Sequence, residues 1–196
     1  VIFRFLPVLL LAGCAALPPQ PRPAEPPAYR AHLQRISKIT SFGLDGRIGV
    51  LTEQKGFSGT MRWHHHPEGD NIAFYSPLGT QLGELNADAD GVTLTTGNQK
   101  TYRAEDAEAL TQQTLGWSLP MAGLSDWVLG RPAKGAAEIL AWDAAGRISH
   151  MRQNGWDIEY PGYQENSGRQ LPGKIVLKSP KLDLKLVVEN WQIDSE

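Results

Sequence analysis

His64-His65-His66 is the one run in the chain with obvious metal-ligating chemistry. Successive residues on a strand face opposite ways, so at most His64 and His66 could share an ion, with Glu68 or Asp70 to complete the site. No HExxH run and no paired cysteines accompany them, and tetrahedral or facial sites need better-placed donors. An exposed strand end is the plainer reading. Ser58, in Gly56-Phe57-Ser58-Gly59, lacks the last glycine of a G-x-S-x-G elbow and lies between two strand patterns instead of before a helix. Ser149, His150 and Asp157 supply the residue types of a hydrolytic triad at spacings that carry no signature. No glycine-rich phosphate loop is present. These residues predict no enzyme, no bound metal and no cofactor.

The remaining reactive group is the thiol of Cys14, the only cysteine among 196 residues. It closes Leu11-Ala12-Gly13-Cys14, behind Arg4 and the apolar run Phe5-Leu6-Pro7-Val8-Leu9-Leu10. A basic residue, a short apolar run and small residues before a cut site make a secretory signal. The run is far shorter than the roughly 20 residues a membrane-spanning helix needs. With Cys at the cut, the segment resembles the lipobox of bacterial lipoproteins, in which the thiol is acylated and the cysteine becomes the N-terminus. A cleaved signal with an unmodified cysteine is the alternative. Ala15 follows Cys14; in bacterial lipoproteins Asp there is the usual inner-membrane retention signal, so the resemblance implies the outer membrane. Val1 leaves open whether the numbering begins at the true start.

Residues 14–28 form the expected anchor and tether, between a signal peptide at 1–13 and a domain at 29–196. Pro18, Pro19, Pro21, Pro23, Pro26 and Pro27 block helix and sheet in the tether and favour polyproline II, at roughly 3.1 Å per residue. Without an internal disulfide the exported domain must stand on its own core, and its length suits a single one. The whole chain has 19 basic and 21 acidic residues, and losing Arg4 takes the net charge from −2 to −3. Such a balance argues against a nucleic-acid partner, which demands a strongly basic face. Arg169, Lys174, Lys178, Lys181 and Lys185 nevertheless crowd the last third, as a solvated face or as a docking patch for an acidic partner.

Elements must position whatever function remains. Tyr29, Leu33 and Ile36 recur at helical spacing over Tyr29–Lys38. The period then changes to two: Phe42, Leu44, Ile48 and Val50 alternate with Gly43, Asp45, Arg47 and Gly49, and Phe57, Met61 and Trp63 with Ser58, Arg62 and His64. The Gly56 region turns one strand into the next. Strands continue over 71–75, 81–87, 92–95 and 100–103. Glu105, Asp106 and Glu108 then suit a helix N-terminus and Gly116 its stop. A further helix has Pro120 in its first turn, Met121, Leu124 and Val128 on one face, and Gly130 past its end. Strands resume over 138–143, 148–153, 156–163, 173–178 and 182–191. About eleven strands with a helical insert predict one antiparallel sheet long enough to curl, its inner face covered by the helices. Periodicity does not distinguish a filled interior from a hollow one. In the loop Ser76-Pro77-Leu78-Gly79-Thr80, Leu78 stands at a turn apex where burial is difficult.

At this loop the chain as a whole resembles the LolB family of outer-membrane lipoprotein receptors from Gram-negative bacteria. The likeness runs from Cys14 almost to the C-terminus. It includes Arg47-Ile48, Trp63, Ser76-Pro77-Leu78-Gly79, Glu84-Leu85-Asn86-Ala87, Tyr102 to Glu108, Leu119-Pro120, Trp127 to Pro132, Asn154-Gly155-Trp156 and Asn190-Trp191. The resemblance implies a mainly β fold with helices, an incomplete, curled antiparallel β-barrel covered by a helical lid over an apolar cavity. It implies a receptor that accepts lipoproteins by their acyl chains from the periplasmic carrier LolA and passes them into the outer membrane, without metal or nucleotide. The family's protruding leucine maps onto Leu78, framed by Pro77 and Gly79. If the interior is hollow, Ile48, Met61, Trp63, Phe74, Leu184 and Leu186, with the lid residues Leu124, Trp127 and Val128, are its expected lining; the same residues would serve a packed core. A monomer is expected. The rival readings are a lipocalin-like binder of a free fatty acid or other small amphiphile, and a structural envelope lipoprotein with a solid core.

Overall fold

The computed structural model describes residues 24–193. The alternating segments form eleven strands in one antiparallel sheet. In chain order these are β1 (Phe42–Thr52), β2 (Gly56–His66), β3 (Gly69–Tyr75), β4 (Gln81–Asp88), β5 (Gly91–Thr96), β6 (Thr101–Ala104), β7 (Glu138–Trp142), β8 (Ile148–Gln153), β9 (Trp156–Asn166), β10 (Arg169–Lys178) and β11 (Leu182–Ile193). Their spatial order is β6-β5-β4-β3-β2-β1-β11-β10-β9-β8-β7. The N-terminal strand therefore sits mid-sheet, paired on one side with β2 and on the other with β11. Every other neighbour is a hairpin partner, so sequence-local turns build both wings. β6 and β7 are the two edges, and the sheet does not close. Each strand twists against the next, and a bulge between Asp45 and Gly46 adds to the bend of β1 against β11.

The concave face is apolar because the period-two positions agree across strands. Ile48 pairs with Leu186, Val50 with Leu184, Leu44 with Trp63, and Met61 with Phe74. All belong to one buried cluster. Helices cover it from the segment linking the two edge strands. In α2 (Ala107–Leu115) the Asp106 carboxylate accepts from the N–H groups of Glu108 and Ala109 at 2.9 and 3.1 Å, and Gly116 ends the helix at φ +83°. This is the start and stop that the sequence implies. Leu110 and Thr111 turn inward; the buried Thr111 hydroxyl accepts from the Leu119 N–H at 2.9 Å and fixes the chain after the helix.

The second covering helix departs from expectation. Pro120 precedes α3 (Met121–Val128) instead of forming its first turn, and Ala122 and Gly123 are non-helical. Gly123 has φ +100°, and a Cβ there would lie 2.9 Å from the Trp127 ring. Close packing of Trp127 thus requires a glycine in a left-handed conformation and breaks the helix. Two further boundaries move. The β1–β2 turn is Glu53–Lys55, with Gly56 already in β2, and β9 and β10 run through Tyr163 and Pro172 to a turn at 167–168.

The first helix, α1 (Pro27–Ile36), begins with proline at its first position. It therefore starts inside the span expected for the tether. The signal peptide and tether residues up to 23 lie outside the described residues. Tyr29 meets Trp142 edge-on at 5.9 Å, His32 meets Tyr163 at 6.0 Å, and Ile36 is fully buried.

Candidate functional site

The nine residues expected to line an acyl site come together. Ile48, Met61, Trp63, Phe74, Leu184 and Leu186 share the concave face, and Leu124, Trp127 and Val128 lie over it. None is more than 3 % exposed, so in this state sheet and helices pack directly on each other. A cleft of about 560 Å³ lies instead on the outer face, between Arg47, Gly49, Ser58, Thr60, Pro77 and Lys185. Fully burying a side chain of the size of Phe74 contributes about 2–3 kcal/mol, so this packing of helices on the sheet contributes strongly to stability.

Polar bonds hold the cover at one side. The Trp127 indole N–H donates to Gln153 Oε1 at 2.8 Å, and the same oxygen accepts from the Ala133 N–H at 2.9 Å. Gln153 Nε2 donates back to the Ala133 carbonyl at 2.9 Å, and the Tyr160 hydroxyl donates to the Trp127 carbonyl at 2.9 Å. Burial pushes both Tyr160 and its neighbour Tyr163 well above the usual phenol range, so they remain neutral donors. Arg131 clamps the same segment to α1: Nε pairs with Asp126 at 2.7 Å and Nη1 donates to the Ile36 carbonyl at 2.6 Å. On the other side the cover rests on apolar contact. Trp117, between α2 and α3, stacks on Phe57 at 6.0 Å and meets Phe74 edge-on at 5.8 Å. Gln153, Arg131 and Trp117 escaped the sequence reading. Gln153 reads only as the last residue of a strand, and its partners lie 20 and 26 residues away.

Leu78 stands at the tip of the turn joining β3 to β4 and is 94 % exposed. The turn is well fastened. Gly79 N donates to the Ser76 carbonyl at 2.9 Å, Ser76 N to the Thr80 carbonyl at 2.8 Å, and Thr80 N to Ser76 Oγ at 3.2 Å. Pro77 sets the first corner, and Gly79 takes the φ of +83° that returns the chain to β4. A rigid frame thus holds an aliphatic side chain in solvent, without the burial that ordinarily offsets such exposure.

His64, His66, Glu68 and Asp70 border one shallow surface depression, but among the described residues they do not gather at metal-ligand distances. Asp70 Oδ1 accepts from the Trp63 indole at 2.7 Å and lies 2.7 Å from Nδ1 of His65, the histidine facing away from His64 and His66. Asp70 is thereby committed to bracing Trp63. His150 and Asp157 do meet, at 2.7 Å, but Asp157 also binds Arg152 at 2.8 Å in a partly exposed ion network. With Glu159 they make the one metal-like grouping among the described residues, and Glu159 is held by Lys178 at 2.9 Å. Cations already fill the places an ion would take. The five basic residues of the last third do not form one patch. Arg169 opens β10 at one end, Lys181 lies in a turn at the other, and Lys178 is paired. Cys14 lies outside the described residues.

Fold and site define a class, that of open half-barrels in which one antiparallel sheet is covered by helices on its apolar face. The structure is similar to a LolA superfamily protein from Nitrosomonas europaea, with a TM-score of 0.52 and 8 % identity over 86 % of this chain and 94 % of that one. It is also similar to a DUF1329 family protein from Desulfovibrio piger, with a TM-score of 0.51 and 9 % identity over 85 % and 92 % of the two chains. At such identities the likeness concerns the fold alone. Sequence narrows it further. The family described as outer membrane lipoprotein LolB matches residues 40–191. The outer-membrane lipoprotein LolB of Stutzerimonas stutzeri is 35 % identical over 94 % of this chain and 91 % of its own length, and that of Nitrosococcus oceani 36 % identical over 95 % and 94 %. The chain belongs to the LolB family. It is therefore an outer-membrane lipoprotein receptor of lipoprotein localisation, a trafficking protein and not an enzyme. Among the described residues no helix is long and apolar enough to cross a membrane.

Proposed function

We propose that this chain accepts lipoproteins from a LolA-type periplasmic carrier by taking their acyl chains between the concave sheet and α2–α3, and that Leu78 delivers them into the outer membrane. Cys14, acylated, would hold the receptor there. The observation that carries this reading is the pairing of a continuous apolar interior with an aliphatic tip held in solvent on a rigid turn. Transfer without fuel needs a gradient of affinity. Covering a few hundred Å² of acyl surface contributes several kcal/mol at about 25 cal/mol per Å², enough to draw cargo from a weaker carrier. Entry requires the cover to move from the packed sheet. The cover is held by ring contacts on the Trp117 side and by Gln153 and Arg131 on the other, and loosening either set eases its opening.

The test is a transfer assay. The mature protein is mixed with LolA carrying a radiolabelled lipoprotein, in the absence of ATP, and cargo is followed by co-purification. Movement of cargo to this protein supports the reading. Cargo that stays on LolA while the receptor takes up free fatty acid would sink it in favour of an amphiphile binder.

A further inference from the structure

Leu78 does not stand alone at its end of the sheet. Among the described residues the exposed large hydrophobic side chains are Leu51 at 62 %, Leu78 at 94 %, Leu82 at 36 % and Tyr102 at 37 %. All four fall towards the end where β1 turns into β2, β3 into β4 and β5 into β6. Leu51 is the penultimate residue of β1, and its cross-strand partners are Gly56 and Asp183. Gly56 has no side chain to cover it, and Asp183 is exposed. Leu82 is the second residue of β4 and Tyr102 the second of β6. Strand alternation would have allowed any of these positions to be polar.

Over β1–β6 charge follows the same axis, although Arg35, Lys38 and Arg169 gather at the far end beside the β9–β10 turn. The turns at the Leu78 end carry Lys55, Lys100 and Lys181, all exposed, against Glu53 alone. The turns at the opposite end of β2–β5 carry Glu68 and Asp90. Lys55 has a second task, because its Nζ lies over Gly116, where the carbonyls at the C-terminus of α2 attract a cation. Lys100 and Lys181 are exposed and make no ion pair among the described residues.

Separate aliphatic tips among lysines fit a bilayer better than a protein. Protein interfaces concentrate aromatic residues and arginine in a contiguous patch and are depleted in lysine. A membrane surface takes individual side chains between its headgroups and attracts lysine through its negative potential. We propose that this end of the sheet is a docking surface for an anionic lipid bilayer, with Leu51 a second inserting tip beside Leu78 and with Lys55, Lys100 and Lys181 reading headgroup charge. The proposal rests on the reading that Leu78 enters lipid, and extends it from one side chain to a surface.

The experiment uses the mature, anchored protein reconstituted into vesicles of phosphatidylethanolamine with phosphatidylglycerol, and separately of phosphatidylcholine alone. Cys14 is the only native cysteine and is consumed by the anchor. Leu51→Cys, Leu78→Cys and, at the far end, Asp90→Cys therefore each accept a single nitrobenzoxadiazole dye, and nitroxide-bearing lipids report contact by quenching. In the anionic vesicles the dye is quenched at positions 51 and 78 and not at 90. Quenching at 51 falls about fivefold or more in phosphatidylcholine, and likewise when Lys100→Ser and Lys181→Ser are combined. Quenching at 78 without quenching at 51, or equal quenching at 51 in both vesicles, overturns the surface and leaves the Leu78 reading standing. Absence of quenching at both positions overturns the two together. Shielding of 51 only after LolA is added overturns the proposal in favour of protein docking.

Discussion

Leu78 and Pro27 stand at opposite ends of the sheet. Leu78 caps the β3–β4 turn, whereas α1 begins at Pro27 beside the β7–β8 turn, where Ala28 Cβ is 2.8 Å from the position a Cβ on Gly146 would take. β9 and β11, with 11 and 12 residues, run the whole distance, which amounts to about 36–40 Å at roughly 3.3 Å per residue. Were Cys14 the anchor and Leu78 the delivering tip, both would have to serve the same bilayer. Residues 14–26, were they extended as their prolines predict, would reach about 40 Å, just enough to pass along the domain. Deleting residues 18–23 should therefore stop delivery by the anchored protein and leave uptake from LolA unchanged. The same deletion without the lipid should deliver normally, because the domain is then free to turn. Transfer of labelled lipoprotein to vesicles measures both, and full delivery by the shortened anchored form would refute the length argument.

Leu78→Glu separates binding from delivery. The side chain touches no core residue, so stability should change by less than about 0.5 kcal/mol and cargo uptake should stay at the native rate. A carboxylate at the tip must be desolvated to enter lipid, so delivery should fall by an order of magnitude or more. Leu78→Ile should restore it. Stability comes from a urea titration, and uptake and delivery from the two stages of the transfer assay. Native delivery by Leu78→Glu would remove the loop from the mechanism.

Much of the fold was legible because neighbouring strands in sequence are neighbours in space. The inward set Leu182, Leu184, Leu186 and Val188 follows from alternation alone, and Asp106 and Gly116 mark α2 by their chemistry. Leu78 was legible because proline and glycine fix a turn whose apex has nowhere to hide. The break in α3 was not: Met121, Leu124 and Val128 keep helical spacing, and only the close approach of Trp127 to Gly123 overrides it. The basic residues of the last third left a docking patch open because closeness in sequence is not closeness on a sheet: Lys181 follows Arg169 by 12 positions, and β10 carries them to opposite ends. Gln153 was invisible because its partners belong to a segment linking the two edges of the sheet.

His32 makes stability depend on pH. It is 3 % exposed, its Nε2 has no hydrogen-bond partner, and burial together with Arg35 and Arg147 lowers its pKa below the ordinary 6.5. Asp143 acts weakly in the opposite sense. A histidine with a folded pKa below its unfolded value binds fewer protons when folded. Its contribution is thus present above about pH 6.5 and is lost as pH falls towards the folded value. Melting temperature should decline from pH 7 to pH 5. His32→Phe, which keeps the edge-on contact with Tyr163, should flatten that decline. An unchanged slope in the variant would assign the acid sensitivity to other groups.

Gln153 sets how firmly the cover is closed. Replacing it with leucine of similar bulk strands the buried Trp127 indole N–H and releases both backbone groups of the half-buried Ala133. An unpaired buried group costs about 1–3 kcal/mol, so the urea midpoint should fall by the equivalent of about 2 kcal/mol with an unchanged slope. The direction of the binding effect discriminates between interiors. If acyl chains enter by displacing the cover, destabilising the closed state raises the population open to them. Gln153→Leu should then take up cargo and apolar dyes faster than the native protein at temperatures where both are folded. If the interior is a solid core that never opens, the variant should lose stability and gain no binding. Stopped-flow dye uptake read beside the urea curve gives the two quantities on one sample, and a loss of stability without faster uptake would reject entry beneath α3.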